Sequence, residues 1–316
     1  MRLTVLKNLL IVGLIATPVV ANASALTDYN IILSDDFNVS GGSGHIEGKT
    51  FVGGNIVNGS IYAQYVDASR LTTDDTVKVV GDFNVSGGTH VESGYVAYGG
   101  TTNAGGYNGL CNSSVPGMSG TGCLKQVTDG SLAAEKTSLF TELAAESAFY
   151  SSLASSAGAL VMGDMNNKAL KYTGAATDLA VFNLTMADLS GPNWAVDFGS
   201  AVNVLINVTG TTFNAGTTKT NGFSNSFNNV LWNFGDATTL NFGDSWYGSI
   251  LALNATILTG SNLNGAIAAK SYVGNGEIHN GSWAYTTIQV PEPSALMLMM
   301  LGLGFVALIR IRRRAK

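Results

Sequence analysis

Apolar and polar residues alternate in short runs along most of this chain. Ala201-Val-Asn-Val-Leu-Ile-Asn-Val-Thr209, Asn229-Val-Leu-Trp-Asn-Phe234, Thr239-Leu-Asn-Phe242, Gly248-Ser-Ile-Leu-Ala-Leu253 and Leu263-Asn-Gly-Ala-Ile-Ala268 set aliphatic or aromatic residues against Asn, Thr and Ser. Such alternation, bounded by Gly and Asn, predicts short β-strands with one buried face. Asn55 to Tyr62 and Val77 to Val85 read the same way. Stacked strands of this kind would bring Asn side chains into line and let their amides pair with one another.

The first third repeats itself. Asp36-Phe-Asn-Val-Ser-Gly-Gly42 recurs as Asp82-Phe-Asn-Val-Ser-Gly-Gly88, and the likeness continues through His45-Ile-Glu47 and His90-Val-Glu92 to Phe51-Val-Gly-Gly54 and Tyr95-Val-Ala-Tyr-Gly-Gly100. An offset of 46 residues is too long for one rung of a β-solenoid but suits two rungs of about 20 to 25 residues. The expected fold is mainly β, a right-handed β-solenoid (β-helix), with a two-sheet sandwich as the competing arrangement. One stretch departs from the pattern. Ser131 to Ala157 is rich in Ala, Leu and Glu and lacks Gly and Pro, with Leu132, Leu139, Leu143, Tyr150 and Leu153 at helical spacing and Gly158 beyond. It predicts one long α-helix over about 131–157, packed alongside the β body because a lone amphipathic helix is marginal in water.

The two ends differ from the body. Arg2 and Lys7 precede an apolar run from Leu9 to Ile15, followed by Pro18 and Ala21-Asn-Ala-Ser-Ala25. That layout predicts a secretory signal peptide over 1–25, cleaved after Ala23 or Ala25, and a non-cytoplasmic location. At the other end Pro291-Glu292-Pro293 stands ahead of an apolar span over 295–309, and Arg310, Arg312, Arg313 and Arg314 follow. The basic cluster acts as a stop-transfer signal by the positive-inside rule. These three elements, in this order and paired with a signal peptide, resemble the PEP-CTERM sorting signal over 291–316. The resemblance implies processing near the Pro-Glu-Pro box by a membrane exosortase, transient insertion in the inner membrane of a Gram-negative bacterium, and delivery to the cell surface or extracellular matrix.

Composition sharpens this picture once the ends are set aside. The mean hydropathy of +0.22 owes part of its value to the two apolar tails. Those tails also hold seven of the 16 Lys and Arg and one of the 21 acids, leaving nine bases against twenty acids, a formal charge of −11 over 26–290. That balance repels phosphate backbones and excludes nucleic acid as a partner. With 12% charged residues and 39 glycines, the body is a chain of turns and uncharged polar rungs.

Candidate chemistry is sparse. Cys111 and Cys123 sit in a Gly/Ser/Asn-rich loop, and in an oxidising compartment they form the expected disulfide. His45 with Glu47 and His90 with Glu92 put two donors on one face of a strand; a metal site is conceivable there, but a solvated pair is the simpler reading and no metal or other cofactor is expected. Asp35-Asp36 and Asp74-Asp75 lack the alternation of a calcium loop. No nucleophile elbow, Cys–His pairing or phosphate loop is present, so no catalytic residue is assigned.

Tyr29-Asn-Ile-Ile-Leu-Ser-Asp-Asp-Phe-Asn38, the Ile46-Glu-Gly48 to Val52-Gly-Gly-Asn55 pattern, the Ala-rich helix, Val204-Leu-Ile-Asn-Val-Thr-Gly210, Val230-Leu-Trp-Asn-Phe234, and Gly248-Ser-Ile-Leu-Ala252 with Leu263-Asn-Gly-Ala-Ile267 together resemble the choice-of-anchor A family. The resemblance implies a β-helical adhesive domain over 26–290 and brings no catalytic residues. The expected function is that of a non-enzymatic surface or matrix protein, an adhesin or biofilm component with exopolysaccharide or surface glycans as partners. A carbohydrate-active β-helix enzyme would instead show a cleft with two carboxylates, and an ice-binding protein a flat face of regularly spaced Thr. Only scattered pairs, Thr211-Thr212, Thr217-Thr218 and Thr238-Thr239, are visible in the sequence.

Overall fold

The computed structural model describes residues 24–285 apart from 40–44, 60–61, 64–70, 86–88, 108, 116, 165, 190, 192, 217 and 284. The Pro-Glu-Pro box, the span over 295–309, the basic cluster and all but the last two residues of the expected signal peptide lie outside them. Among the described residues no helix is long and apolar enough to cross a membrane.

The protein is mainly β, and its strand pairs are parallel except for the hairpin of Ala159–Gly163 and Asn167–Tyr172. Ten strands form the main path of the largest sheet: β1 (Ile31–Leu33), β2 (Thr50–Val52), β3 (Asp75–Val79), β4 (Tyr95–Tyr98), β5 (Leu124–Gln126), β6 (Thr177–Thr185), β7 (Ala201–Thr209), β8 (Val230–Asn233), β9 (Ser249–Thr259) and β10 (Ile267–Gly274). Their order is β5-β4-β3-β2-β1-β10-β9-β8-β7-β6. The chain therefore starts in the middle and builds outward to β5. It re-enters at the opposite edge with β6 and builds back until β10 pairs with β1. A short helix, α1 (Ala25–Asp28), precedes β1, and the long helix α2 (Ser131–Ser152) joins the two edges.

Register explains the core. Val96, Val77, Thr50, Ile31, Ile267, Ile250, Trp232, Ile206 and Phe182 stand opposite one another across nine strands, and all are buried. Side chains alternate faces along a strand, so the next residue of each strand points the other way. That second column runs Lys78, Phe51, Ile32, Ala268, Leu251, Asn233, Asn207 and Asn183. It is the strip on which α2 lies.

The strip matches the helix in length and chemistry. Seven strand spacings come to about 34 Å, and the helix of 22 residues is about 33 Å long. At the N-terminal end Lys78 Nζ pairs with Glu135 at 2.7 Å, and Tyr29 Oη donates to the same carboxylate at 2.8 Å. In the middle Phe51, Ile32 and Leu251 pack with Leu143 and Tyr150. At the C-terminal end the three asparagines form a ladder, Asn233 Nδ2 to Asn207 Oδ1 and Asn207 Nδ2 to Asn183 Oδ1, each 2.9 Å. The ladder also donates to helix carbonyls: Asn233 to Ser147 at 3.2 Å, Asn207 to Tyr150 at 2.7 Å and Asn183 to Leu153 at 2.9 Å. A helix C-terminus has unpaired carbonyls, and the strand amides serve as its cap.

The helix ends at Ser152 rather than near residue 157. Leu153 is extended, and Ser155 and Ser156 use their hydroxyls on the backbone N–H groups of Asn183 and Val181 in β6. Serine competes with helix for such local partners. Gly158 is left-handed, at φ +90°, but it opens the following hairpin instead of stopping the helix.

The sequence repeat also has a physical reading. Phe37 stands opposite Ile56, and Ile56 opposite Phe83, so the offset between the two copies spans two register steps. Asp36 Oδ1 accepts from Asn55 N, and Asp82 Oδ1 from Thr101 N, both at 2.6 Å. A Cβ at Gly54 or Gly100 would run into these same carboxylate oxygens. The repeated Asp and the Gly-Gly pair one strand on are thus one corner device used twice.

One acid is buried at the seam between helix and termini. Glu146 accepts from Ser24 Oγ at 2.8 Å and Tyr150 Oη at 2.9 Å, and Tyr150 Oη accepts from Trp283 Nε1 at 3.0 Å. Desolvation pushes the Glu146 carboxyl above the usual carboxylate range despite the two donors, which act the other way. Cys111 and Cys123 are joined in a disulfide beneath the β3–β5 end of the sheet.

Two expectations follow. Asn233→Ala leaves Ser147 Oγ and the Asn207 carbonyl without their partner, and in urea denaturation it should cost about 2–3 kcal/mol; Asn241→Ala, on the outer surface, should cost about 0.5 kcal/mol or less. For Glu146 the folded state holds its proton more tightly than the unfolded one. Its stabilisation is then fully present below the ordinary carboxylate pKa and is lost as pH rises through the raised folded value. Wild type should accordingly gain stability relative to Glu146→Gln as the pH falls from neutrality into the carboxylate range; a gap independent of pH refutes this reading.

Candidate functional site: an uncharged hydroxyl and amide surface

A second set of registers, beside the helix-bearing strip, forms an outer surface with uncharged outward positions. It is built from Phe83–Val85, Ile56–Gly59, Phe37–Val39, the C-terminal halves of β10 and β9, Thr239–Phe242 and Thr212–Asn214. Their inward column is Phe83, Ile56, Phe37, Tyr272, Ile257, Leu240 and Phe213, all buried. Phe37 and Tyr272 stack at 4.9 Å, and Phe213 meets Trp246 edge-on at 5.7 Å. These rings fix the backbone that carries the outer residues.

The outward positions fall into two columns. Thr212, Thr239, Thr256 and Ser271 stand in register on four strands. Asn214, Asn241, Leu258, Val273, Asn38 and Val57 stand in register beside them. None of the ten is charged, and all are exposed or half-exposed. Thr256 and Ser271 share a hydrogen bond of 2.9 Å, and Asn241 Nδ2 donates to Asn214 Oδ1 at 2.7 Å. Hydroxyls therefore repeat at the strand spacing of about 4.8 Å over four strands, and in the second column the amides of Asn214 and Asn241 are adjacent while Leu258, Val273 and Val57 are apolar. Threonine has a restricted χ1 on a strand, so the row loses little side-chain freedom on meeting a ligand.

The sequence shows Thr211-Thr212 and Thr238-Thr239 as pairs, but only the second member of each joins the column. Thr238 Oγ1 instead donates to the backbone carbonyl of Thr211 at 3.1 Å. The column spacings along the chain, 27, 17 and 15 residues, are unequal, so no periodicity betrays them.

Two other places carry polar groups. A cavity of about 380 Å³ near the start of α2 is lined by Asp75, Lys78, Lys125, Asp129 and Glu135 among others. A neighbouring one of about 370 Å³ adds Asp28 and Lys49. Three of the five lining acids are matched with bases, Asp28 with Lys49 at 2.9 Å, Glu135 with Lys78 at 2.7 Å and Asp75 with Lys125 at 3.2 Å, while Asp74 and Asp129 carry no ion pair among the described residues. Hydrogen bonds from Ser131 hold the Asp129 carboxyl below its usual range. Ion pairs thus occupy all three lysines of the cleft. The remaining place, on the small sheet of Trp246–Tyr247, Leu263–Asn264 and Ile278–His279, gathers His45, Glu47 and His279, with Glu277 in contact with both imidazoles.

Residues 22–280 match the family model described as "Putative Ice-binding-like adhesive domain", and residues 289–314 match the PEP-CTERM protein-sorting motif. No curated protein matches. Among solved structures, the chain is similar to an ice-binding protein from the Antarctic ascomycete Antarctomyces psychrotrophicus, at 13% identity and a TM-score of 0.27, over 83% of this chain and 97% of that one. The model that spans 22–280 covers most of the chain, and the chain belongs to the ice-binding-like adhesive domain family.

Proposed function

We propose that this is an exported, non-enzymatic surface or matrix protein that adheres through its uncharged hydroxyl and amide columns to a hydroxyl-rich polymer, an exopolysaccharide or surface glycan. The in-register row of Thr212, Thr239, Thr256 and Ser271 beside Asn214 and Asn241 carries the reading. Neutral donors and acceptors at regular spacing suit a neutral polymer with its own hydroxyl repeat, and many such contacts add by avidity. The adhesive family and the sorting motif support export to the surface.

In this reading residues 1–25 form a signal peptide and 26–290 a right-handed β-solenoid of the choice-of-anchor A type, in which the parallel registers are successive rungs. Residues 291–316 then form the sorting segment: an exosortase cuts near Pro291-Glu292-Pro293 after the apolar span 295–309 and the arginines at 310, 312, 313 and 314 have held the chain in the inner membrane. Biofilm assembly is the setting that such delivery serves.

The double variant Thr239→Lys, Thr256→Lys puts two charges in the row, where each site is half-exposed and costs little stability. Co-sedimentation with the exopolysaccharide of the producing cell should weaken at least tenfold while the melting temperature stays near that of wild type. Undiminished binding refutes the assignment of this surface. Thermal hysteresis that disappears in the same variant would favour ice as the ligand, and sugar cleavage by purified protein would favour the enzyme reading. Separately, a chain lacking residues 291–316 should fail to reach the surface fraction, and unchanged delivery overturns the sorting claim.

A further inference from the structure

His45-Ile46-Glu47 and Glu277-Ile278-His279 are 230 residues apart in the chain and side by side in the fold. Ile46 and Ile278 form a parallel bridge, with Glu47 N donating to Ile278 O at 3.0 Å and Ile278 N to His45 O at 2.8 Å. Both isoleucines are fully buried. Strand alternation then turns the four flanking side chains to the outer face, with His45 level with Glu277 and Glu47 level with His279. A His-x-Glu pair on one strand thus meets a Glu-x-His pair on the next.

The four groups touch. His45 Nδ1 lies 3.4 Å from Glu277 Oε1, His45 Nε2 3.6 Å from Glu47 Oε1, and His279 Nε2 2.9 Å from Glu277 Oε2. One donor atom each from His45, Glu47 and His279 lie within 4.8 Å of one another. The surroundings orient them. Asn264 Nδ2 donates to Trp246 O at 3.1 Å, which turns the Asn264 carbonyl toward His279 Nδ1 at 2.8 Å. With Nδ1 turned to Asn264, Nε2 is the ring nitrogen that faces the cluster, 2.9 Å from Glu277 Oε2. Glu47 is oriented as well, because its Oε2 accepts from Asn280 N at 2.8 Å. A ligating imidazole whose other nitrogen donates to a carbonyl is the usual outer-sphere arrangement of a metal site.

We propose that His45, Glu47 and His279, with Glu277 as fourth donor, bind one divalent transition-metal ion of the zinc class. Two imidazoles and two carboxylates suit that class, whereas calcium prefers an all-oxygen set of six to eight. Tetrahedral zinc places its donors about 3.3 Å apart, and the one-atom-per-residue set of His45, Glu47 and His279, already within 4.8 Å of one another, reaches that spacing by small side-chain rotations. The ion would tie the segment before β2 to the segment after β10, closing the seam where the first and last strands of the sheet meet. It acts as a clamp, since binding to the folded state alone stabilises it.

The chain holds its own control. His90-Val-Glu92 has the same spacing, with His90 Nε2 3.3 Å from Glu92 Oε1, but its neighbours supply Gly109 O to the imidazole and Asn112 Nδ2 to the carboxylate, and among the described residues no second His or Glu joins it.

The test is a titration of the full chain, purified in detergent without a histidine tag and stripped with chelator. Zn²⁺ should bind at one equivalent and raise the melting temperature, and Co²⁺ should give the visible absorption of a tetrahedral site. His45→Ala and His279→Ala should each weaken binding at least tenfold, and Asn264→Ala about tenfold through the lost orientation of His279. His90→Ala should bind as wild type does. Glu47→Gln, a surface change of equal size, serves should an alanine variant fold poorly. Absence of stoichiometric binding, or equal binding by wild type and by His279→Ala and Glu47→Gln, overturns the proposal, as does equal loss in His90→Ala.

Discussion

The docking of one helix on one column of strand residues governs this structure. The chain leaves the sheet at β5 on one edge and must re-enter at β6 on the other. A helix can make this crossing without a partner strand, because it satisfies its own backbone. Its length is therefore set by the number of strands it spans. Its partners change along the way from an ion pair at Lys78 and Glu135, through the apolar middle at Phe51, Ile32 and Leu251, to the asparagine ladder. The polar ends fix the register of helix on sheet, which an apolar strip alone would leave free to slide. Of the five buried helix residues, Leu132, Leu143, Glu146, Ser147 and Tyr150, three bear polar atoms that find partners, so this helix is positioned by hydrogen bonds as much as by burial.

That arrangement accounts for which features were legible from the residues alone. Alternation exposed the strands whose second face is polar, whereas those under α2 are buried on both faces, and the Asp36 and Asp82 repeat was visible because one corner device recurs after two register steps. The asparagine pairing was foreseeable from the residue type, though not its use as a helix cap. The end of the helix was misplaced by about five residues because Ser155 and Ser156 favour β6 over further helical turns. The hydroxyl column was hidden since its members are unequally spaced. The His–Glu crossing was hidden for a similar reason: half of it lies at residues 277–279, and only the parallel bridge of Ile46 and Ile278 brings it to the other half.

Charge is distributed with the same economy. Three lysine–carboxylate pairs of the N-terminal half gather near the start of α2, and one of them, Lys78 with Glu135, holds the helix. The opposite register keeps ten outward positions uncharged. A surface of this kind gains little from long-range attraction and relies on many weak, directional contacts. That is a sound basis for adhesion to a repeating neutral polymer, where affinity grows with the number of rungs engaged.

The two ends of the domain meet, and this bears on how it withstands tension. Trp283 N donates to Leu26 O at 3.1 Å, Thr27 Oγ1 donates to Trp283 O at 2.9 Å, and the Trp283 indole, fully buried, reaches Tyr150 on α2. The sorting motif occupies residues 289–314, a few residues beyond this contact. A pull applied through that motif enters the domain at Trp283 and must break its bonds to α1 and α2 before it can peel the chain back toward β10. The seam proposed to hold metal at His45, Glu47 and His279 comes next along the chain, and β10, paired on both sides with β1 and β9, comes last. Successive ties of different chemistry, each loaded only after the one before it yields, therefore close the C-terminal end of the domain onto its first helix and its first strand.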